Sequence, residues 1–397
     1  MQVNQIAELL NTVTGEILGD NGLVAEDLSN VVDVGAAVFD AASLDNYVRS
    51  LVNHIGRVVF VNRPYNGSAP SVLMDSWEYG SVMEKITAAL PQATENQSWN
   101  LRNGQSYDPN IFTKPDVSAK FYNSRTTFEI PMSFTERQVK ESFSDSQQLN
   151  AFFSMIETAI YKSMTVKTDA LIMRTINNMI GLTLHDAFEG GGYDKGSTVR
   201  AVNLLYLYNQ AYPDSPIYDL GTAMSTGRFI RFASYTMSVY QDRMRKISTR
   251  FNIGGTDKFT PSDMLHFVML SDFAKAADVY NQSDTFHDNF TALPNAELVP
   301  YWQGSGENYD LNSISSINIK TSNGTENGDS VIANGIIGVM FDRDALGVCN
   351  YDRRVTTNYN PRAEFFNNWY KQDAMYFNDA NENFVAFYAD ATKPAEG

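Results

Sequence analysis

The stretch Leu149-Asn150-Ala151-Phe152-Phe153-Ser154-Met155-Ile156-Glu157-Thr158-Ala159-Ile160-Tyr161 opens the longest helical pattern of the chain. Apolar residues at Leu149, Phe152, Phe153, Ile156, Ala159 and Ile160, and later at Leu171, Met173, Ile176 and Ile180, follow one helical face. Ser144 or Asp145 supplies a start, and neither Pro nor Gly interrupts before Gly181, so one helix is predicted to roughly Leu184. At ~1.5 Å per residue such a helix spans about 50 to 60 Å, long enough to be a backbone for the whole subunit.

Upstream of it, Thr126 to Phe134 reads as a strand with Phe128, Ile130, Met132 and Phe134 on one face. Before that, from Tyr65 to Tyr122, turn residues dominate (Asn66-Gly67, Pro70, Pro91, Asn103-Gly104, Pro109, Pro115), with a short helix expected inside, at Ser81 to Leu90. Trp77, Tyr79, Trp99, Tyr107 and Phe112 lie here among few aliphatic residues, and a long aromatic excursion of this kind meets a partner. Arg57 to Asn62 reads as a strand, and Ser43 caps a helix through Ile55. Residues 1 to 42 carry a short amphipathic stretch and read as an arm lying on something else.

Downstream, Gly190-Gly191-Gly192 marks the boundary to a second, mixed α and β domain. Val199 to Ala211 and Ser225 to Thr249 read as helices. Met264 to Leu270 reads as a strand entering a helix at Ser271 or Asp272, and Val331 to Phe341 as a pair of short strands about Asn334-Gly335. Ala345 to Ala389 predicts two or three aromatic-rich strands, the last becoming central to a sheet if it returns to the first domain.

A length of 397 residues favours two closely joined domains, and 43% apolar residues with 24 Phe and 21 Tyr can fill large cores and still cover interfaces. The net charge of -16 argues against a dedicated nucleic-acid binder, because phosphate binding rests on cations that are outnumbered here. A single cysteine, Cys349, allows no intrachain disulfide, which suits a reducing cytosol. Met1 to Leu18 lacks the pattern of a signal peptide, and no apolar run reaches the ~18 residues of a membrane span.

No motif for chemistry is found. His54, His185, His266 and His287 are isolated, with no i, i+4 pair to share a metal. Gly191 and Gly196 have the separation of a phosphate loop, but the lysine is missing, so a hinge is expected. Asp219 with Asp272, or Asp342 with Asp344, are chance pairings among 46 acidic residues. Arg228, Arg231, Arg243, Arg245, Lys246 and Arg250 form a basic cluster in an acidic chain, either a contact for an acidic patch on a neighbouring copy or a solvated helix face. No catalytic, cofactor-binding or metal residue is assigned; Trp77, Trp99, Arg243 and Arg245 are the candidate subunit interface.

The segment Tyr47 to Val59 resembles the start of the capsid fold in short-tailed phages of the phi-twenty-nine group. Leu149 to Phe153 leading into Ile156 to Tyr161 is similar to the opening of that family's spine helix, and Phe366 to Tyr370 followed by Asn383 to Phe387 extends the likeness in the same order. The resemblance implies an α+β, HK-ninety-seven-type major capsid protein. Its parts would be an N-terminal arm and first helix (1–56), an extended loop (57–125), a peripheral domain with the spine helix (126–189 and 346–397) and an axial domain (190–345).

It further implies a non-enzymatic structural protein without cofactors, forming the pentamers and hexamers of an icosahedral head, regular or prolate, in the virion. Assembly is expected in the bacterial host cytoplasm, without membrane, around double-stranded DNA contacted weakly and without sequence specificity. No C-terminal immunoglobulin-like module is seen, so any decoration is expected from another protein; no large prodomain precedes the arm, so a separate scaffolding protein is expected unless processing has removed one, beside a portal. Lys85, Lys114 and Lys120 lie in the loop, but nothing marks a reactive partner for a crosslink. The alternatives are an encapsulin-like nanocompartment shell protein and an aromatic-rich carbohydrate-active enzyme.

Overall fold

The computed structural model describes residues 72–74, 83–91, 93, 95, 103, 110, 114–135, 146–188, 192–282, 296–300, 302, 317–320 and 330–392. In chain order the strands and helices are β1 (Leu73–Met74), β2 (Met83–Ala88), β3 (Val117–Tyr122), β4 (Arg125–Thr135), α1 (Ser146–Ala187), β5 (Ala201–Asn203), α2 (Leu204–Ala211), α3 (Leu220–Ser225) and α4 (Gly227–Met244). They continue with β6 (Leu265–Leu270), α5 (Ser271–Gln282), β7 (Glu297–Val299), β8 (Ile317–Lys320), β9 (Ser330–Ala333), β10 (Ile336–Asp342), β11 (Leu346–Asn360), β12 (Phe365–Asn378) and β13 (Phe384–Tyr388). The arm, the first helix and the strand expected before Asn62 lie outside the described residues.

The predicted long helix is α1, 42 residues and therefore about 63 Å long. From Leu171 to Leu184 it is buried on nearly every side, so its apolar residues do not make a single stripe there. Its buried threonines need internal partners, and Thr168, Thr175 and Thr183 donate to the carbonyls of Met164, Leu171 and Met179 four residues earlier at 2.8 to 3.0 Å. That habit satisfies the hydroxyl within the helix and favours a gentle bend.

Two sheets lie against this helix. The first, in order β1-β11-β12-β4, is built on the long β11–β12 hairpin, with β4 antiparallel to β12 from Thr135 opposite Phe365 to Arg125 opposite Met375. Along β4 the alternation follows the sequence, with Phe128, Ile130 and Met132 half-buried and their neighbours exposed. The second sheet, in order β5-β13-β10-β6-β7, is mixed, with β13 antiparallel to β10 and parallel to β5. Buried side chains of α1 (Ile172, Ile176, Ile180), the second sheet (Val268, Val339, Phe387) and the first (Val348, Ala374) join in one core.

Five expectations are corrected, the first being that the helix read over 199–211 begins only at Leu204, because Ala201–Asn203 is the strand β5 paired with β13. The segment 83–88 is a strand, not a helix: its residues alternate half-buried and exposed, and β2 pairs antiparallel with β3. The closing strand does not return to the first sheet. Phe384–Tyr388 is buried at all five positions in the middle of the second sheet, as a residue run with no polar face requires. The strands flanking Asn334-Gly335 do not pair with each other, since β9 pairs with β8 while β10 runs between β13 and β6. Finally, 225–249 is not one helix. Thr226 separates α3 from α4, and α4 stops at Met244.

The helix start after Asn203 has a plain cause. Its side chain caps α2 by accepting from the Tyr206 N–H at 3.1 Å. The same amide donates to the carbonyls of Tyr193 at 3.1 Å and Asp390 at 2.6 Å, which fixes the segment after the glycines against the end of β13.

Candidate subunit interface

Strands β2 and β3 form a hairpin whose register sets Lys85 opposite Lys120, Glu84 opposite Phe121 and Ala88 opposite Val117. Because side chains alternate across a strand, this puts Met83, Lys85, Thr87, Ser118, Lys120 and Tyr122 on one face. The other face carries Glu84, Ile86, Ala88, Val117, Ala119 and Phe121, and there Ile86 and Phe121 are each 65% exposed. Two lysines directly opposed on a hairpin repel each other. What compensates is a turn almost three hundred residues away in sequence.

That turn, 379–382, lies between β12 and β13. Lys85 Nζ reaches Asp379 Oδ2 at 2.9 Å and Glu382 Oε1 at 2.6 Å, and donates to the Asp344 carbonyl at 3.2 Å. Lys120 Nζ lies 2.9 Å from the other Asp379 oxygen, and Lys258, from the loop after α4, is 2.8 Å from Glu382. Burial raises the Asp379 carboxyl, but hydrogen bonds from Lys85, the Asn381 N–H and Lys120 outweigh it and lower it to about 2. Burial likewise disfavours the charge on Lys85, yet its hydrogen bonds to Glu382 and Asp379 leave its pKa raised. Both partners are thus held ionised, the state for ion pairing and not for nucleophilic attack by the lysine. Tyr122 completes the inner face, its ring 5.3 Å from that of Phe377 and its phenol pushed up by burial and by the nearby Asp379.

The arginine cluster sits elsewhere, along and beyond α4. Arg228 lies 5.2 Å from the centre of the Tyr212 ring and Arg243 lies 5.6 Å from that of Tyr240. Arg245 caps the helix end and is 3.8 Å from Asp242, with both side chains largely exposed. Lys246 and Arg250 follow in the exposed loop. An antiparallel bridge between Ser248 and Lys258 brings Ile247 and Phe259 alongside, each about half exposed, so cations surround an apolar pair. Trp77 and Trp99 lie outside the described residues.

The other candidates have local structural roles. Asp219 caps α3 by accepting from the Thr222 N–H at 2.8 Å, and Asp342 accepts from the Asp344 N–H at 3.0 Å to close the turn before β11. Ser197 and Thr198 accept from the N–H groups of Asn203 and Ala201, so the loop that resembles a phosphate cradle spends its hydroxyls on starting β5. His185 stands in the last turn of α1. His266 lies on β6 with its pKa lowered by burial. Among the described residues no group of three or more His, Cys, Asp or Glu side chains is placed to hold a metal, and no described helix is long and apolar enough to cross a membrane.

The chain is thus of α+β class, built around one long helix, with exposed apolar side chains on the β2–β3 hairpin and beside the basic loop after α4. The chain belongs to the Phi29-like phage major capsid protein family, whose model matches residues 10–388. Its role is accordingly that of a structural component of a phage capsid. No curated protein matches it. Among solved structures it is similar to the capsid of Staphylococcus phage Andhra, with 10% identity, TM-score 0.47, and 80% of this chain and 83% of that one covered. It is similar also to the capsid of Cyanophage P-SCSP1u, with 10% identity, TM-score 0.46, and 84% and 91% covered. A third is the mature capsid of bacteriophage PhiM1, with 8% identity, TM-score 0.44, and 84% and 89% covered.

Proposed function

We propose that the chain assembles as pentamers and hexamers into an icosahedral or prolate phage head that encloses double-stranded DNA, and that it has no catalytic activity of its own. The observation that carries this is the family match across residues 10–388, nearly the whole chain. A separate scaffolding protein and a portal would direct assembly in the host cytoplasm. In this reading 1–56 is the arm and 57–125 the extended loop. The peripheral domain is 126–189 with 346–397, and the axial domain is 190–345, with the pairing of 384–388 to β10 and β5 linking the two.

The contacts between copies are assigned to Trp77 and Trp99 in the loop and to Arg243 and Arg245 at the end of α4. Exposed apolar side chains on the loop hairpin support a contact there, since Ile86, Val117 and Phe121 lie on one face. The basic cluster supports the other, because a chain of net charge -16 offers it acidic surface on any neighbouring copy. DNA would be touched weakly and without sequence preference.

Negative-stain microscopy with light scattering tests the proposal. Purified protein, alone or with its scaffolding partner, should give closed shells or capsomer rings. A monomer across a wide range of concentration and salt, with and without that partner, would overturn it. Shells that enclose enzymes in place of a genome would make it a nanocompartment.

A further inference from the structure

The β2–β3 hairpin is joined to its own subunit in an unusual way. Its outer face is open, and its inner face meets the body through charge: Lys85 and Lys120 on Asp379, and Lys85 on Glu382. Further described attachments are Lys85 donating to the Asp344 carbonyl at 3.2 Å and, at the base of the hairpin, the Tyr122–Phe377 ring contact and the Tyr376 N–H donating to the Ser124 carbonyl at 3.2 Å. No hairpin residue belongs to the buried core, which takes most of its side chains from α1, the two sheets and α2 to α5. An isolated two-stranded hairpin is marginal in water, so the state of this one is set by what holds it.

We propose that Lys85, Lys120, Asp379, Glu382 and Lys258 form an ionic latch that holds the loop hairpin against the body of its own subunit and that can be released without unfolding that body. Three features of the arrangement carry this. The register forces the two lysines together, so the hairpin is self-repelling unless an anion lies between them, and Asp379 gives one oxygen to each. The carboxylates are buried while the lysines are partly open, with side-chain exposures of 2% and 7% for Asp379 and Glu382 against 18% and 38% for Lys85 and Lys120. The receptor is therefore built into the body and the hairpin supplies the movable ends. Lys258 keeps Glu382 paired when the hairpin leaves, so release need not strand both buried carboxylates. In the latched position Ile86, Val117 and Phe121 face outward together.

The latch is a property of the single subunit and stands apart from the shell reading. Its test is hydrogen exchange on the unassembled full chain, comparing peptides over 83–88 and 117–122 with a reference over 384–388. In Lys85→Met/Lys120→Met, and independently in Asp379→Asn/Glu382→Gln, the hairpin amides should exchange on the order of tenfold faster while the reference stays protected. The unaltered protein in ~1 M salt should move in the same direction by less, because the lysines are partly open to screening. If the carboxylate variant unfolds as a whole, the reference peptide will show it, and the lysine variant, which touches no core residue, decides. Hairpin exchange in the lysine variant equal to that of the unaltered protein would overturn the latch.

Discussion

Reversing Arg243 and Arg245 to Glu separates the two uses open to the basic cluster, and the structure bounds what the change does to the subunit alone. Arg243 loses a contact with the Tyr240 ring at 5.6 Å, worth about 0.5 to 1 kcal/mol at an exposed site. Arg245 loses an exposed pair with Asp242 at 3.8 Å, worth at most about 1 kcal/mol. Two negative charges at the carboxyl end of α4 each cost roughly 0.3 to 1 kcal/mol against the helix dipole. The subunit should thus lose roughly 1 to 4 kcal/mol, which a domain of ordinary stability survives. A contact between copies fares worse, since attraction becomes repulsion against an acidic neighbour, and the chain moves from -16 to -20, two units per substitution. At 1.4 kcal/mol per factor of ten, losing one such charge contact shifts the concentration needed for assembly by about tenfold or more. Light scattering across a concentration series reads that shift, and circular dichroism checks the fold. Arg243→Gln/Arg245→Gln should give an intermediate shift. Assembly that is unaffected, together with weaker and less salt-dependent DNA binding, would refute the subunit contact and turn the cluster toward the genome.

Replacing Trp77 or Trp99 with Ala should reduce shell yield more than thermal stability, since an aromatic anchor contributes ~2 kcal/mol or more at an interface and every copy repeats the loss; equal yield from both variants would remove them from the contact. Gly335→Ala should lower the melting temperature by several degrees, because Gly335 has φ +67 and a Cβ there would lie 2.0 Å from the Ala389 carbonyl oxygen; an unchanged melting curve would show that the turn relaxes freely. The latch should also respond to acid in a defined window. Asp379 is lowered to about 2, so its contribution is full above the ordinary carboxylate pKa and fades as pH falls toward 2. Lys85, Lys120, Lys258 and Glu382 face the same site, and the raised pKa of Lys85 keeps it charged across this acid range. Pepsin should therefore cut the hairpin far faster near pH 2 than near pH 4 relative to other sites, whereas a flat ratio would contradict the assignment.

The elements legible in the sequence are those whose signal is local. The long helix could be read because no breaker interrupts it before Gly181, and β4 because Phe128, Ile130 and Met132 alternate with exposed residues. The step from β6 into α5 fell within a residue of its expected place. What escaped depends on distant partners. Met83-Glu84-Lys85-Ile86-Thr87-Ala88 is rich in helix formers, and only its pairing with 117–122 makes it a strand. Phe384–Tyr388 is apolar on both faces, so it fits the middle of either sheet, and its neighbours β10 and β5 come from segments some 45 and 180 residues earlier. The turn 379–382 reads as an ordinary polar loop. Its lysine partners on the hairpin lie more than 250 residues away, and the one hint is a hairpin with Lys at two facing positions.

The same division between local and distant interactions governs which part of the subunit can change shape. The body is held by a core in which side chains such as Ile176, Phe229, Val339 and Phe387 are fully buried, each worth about 1.5 to 3 kcal/mol against exposure. The hairpin is held by ion pairs whose lysines remain partly in water, where such pairs are weakened by solvent and salt. Any free energy delivered to the subunit, by a neighbouring copy or by a change of solution, therefore displaces the hairpin well before it disturbs α1 or the two sheets. In the proposed shell, a hairpin attached in this way would settle against different neighbours while each subunit kept one fold. Five-fold and six-fold rings built from a single sequence require that of whichever segment makes the contact.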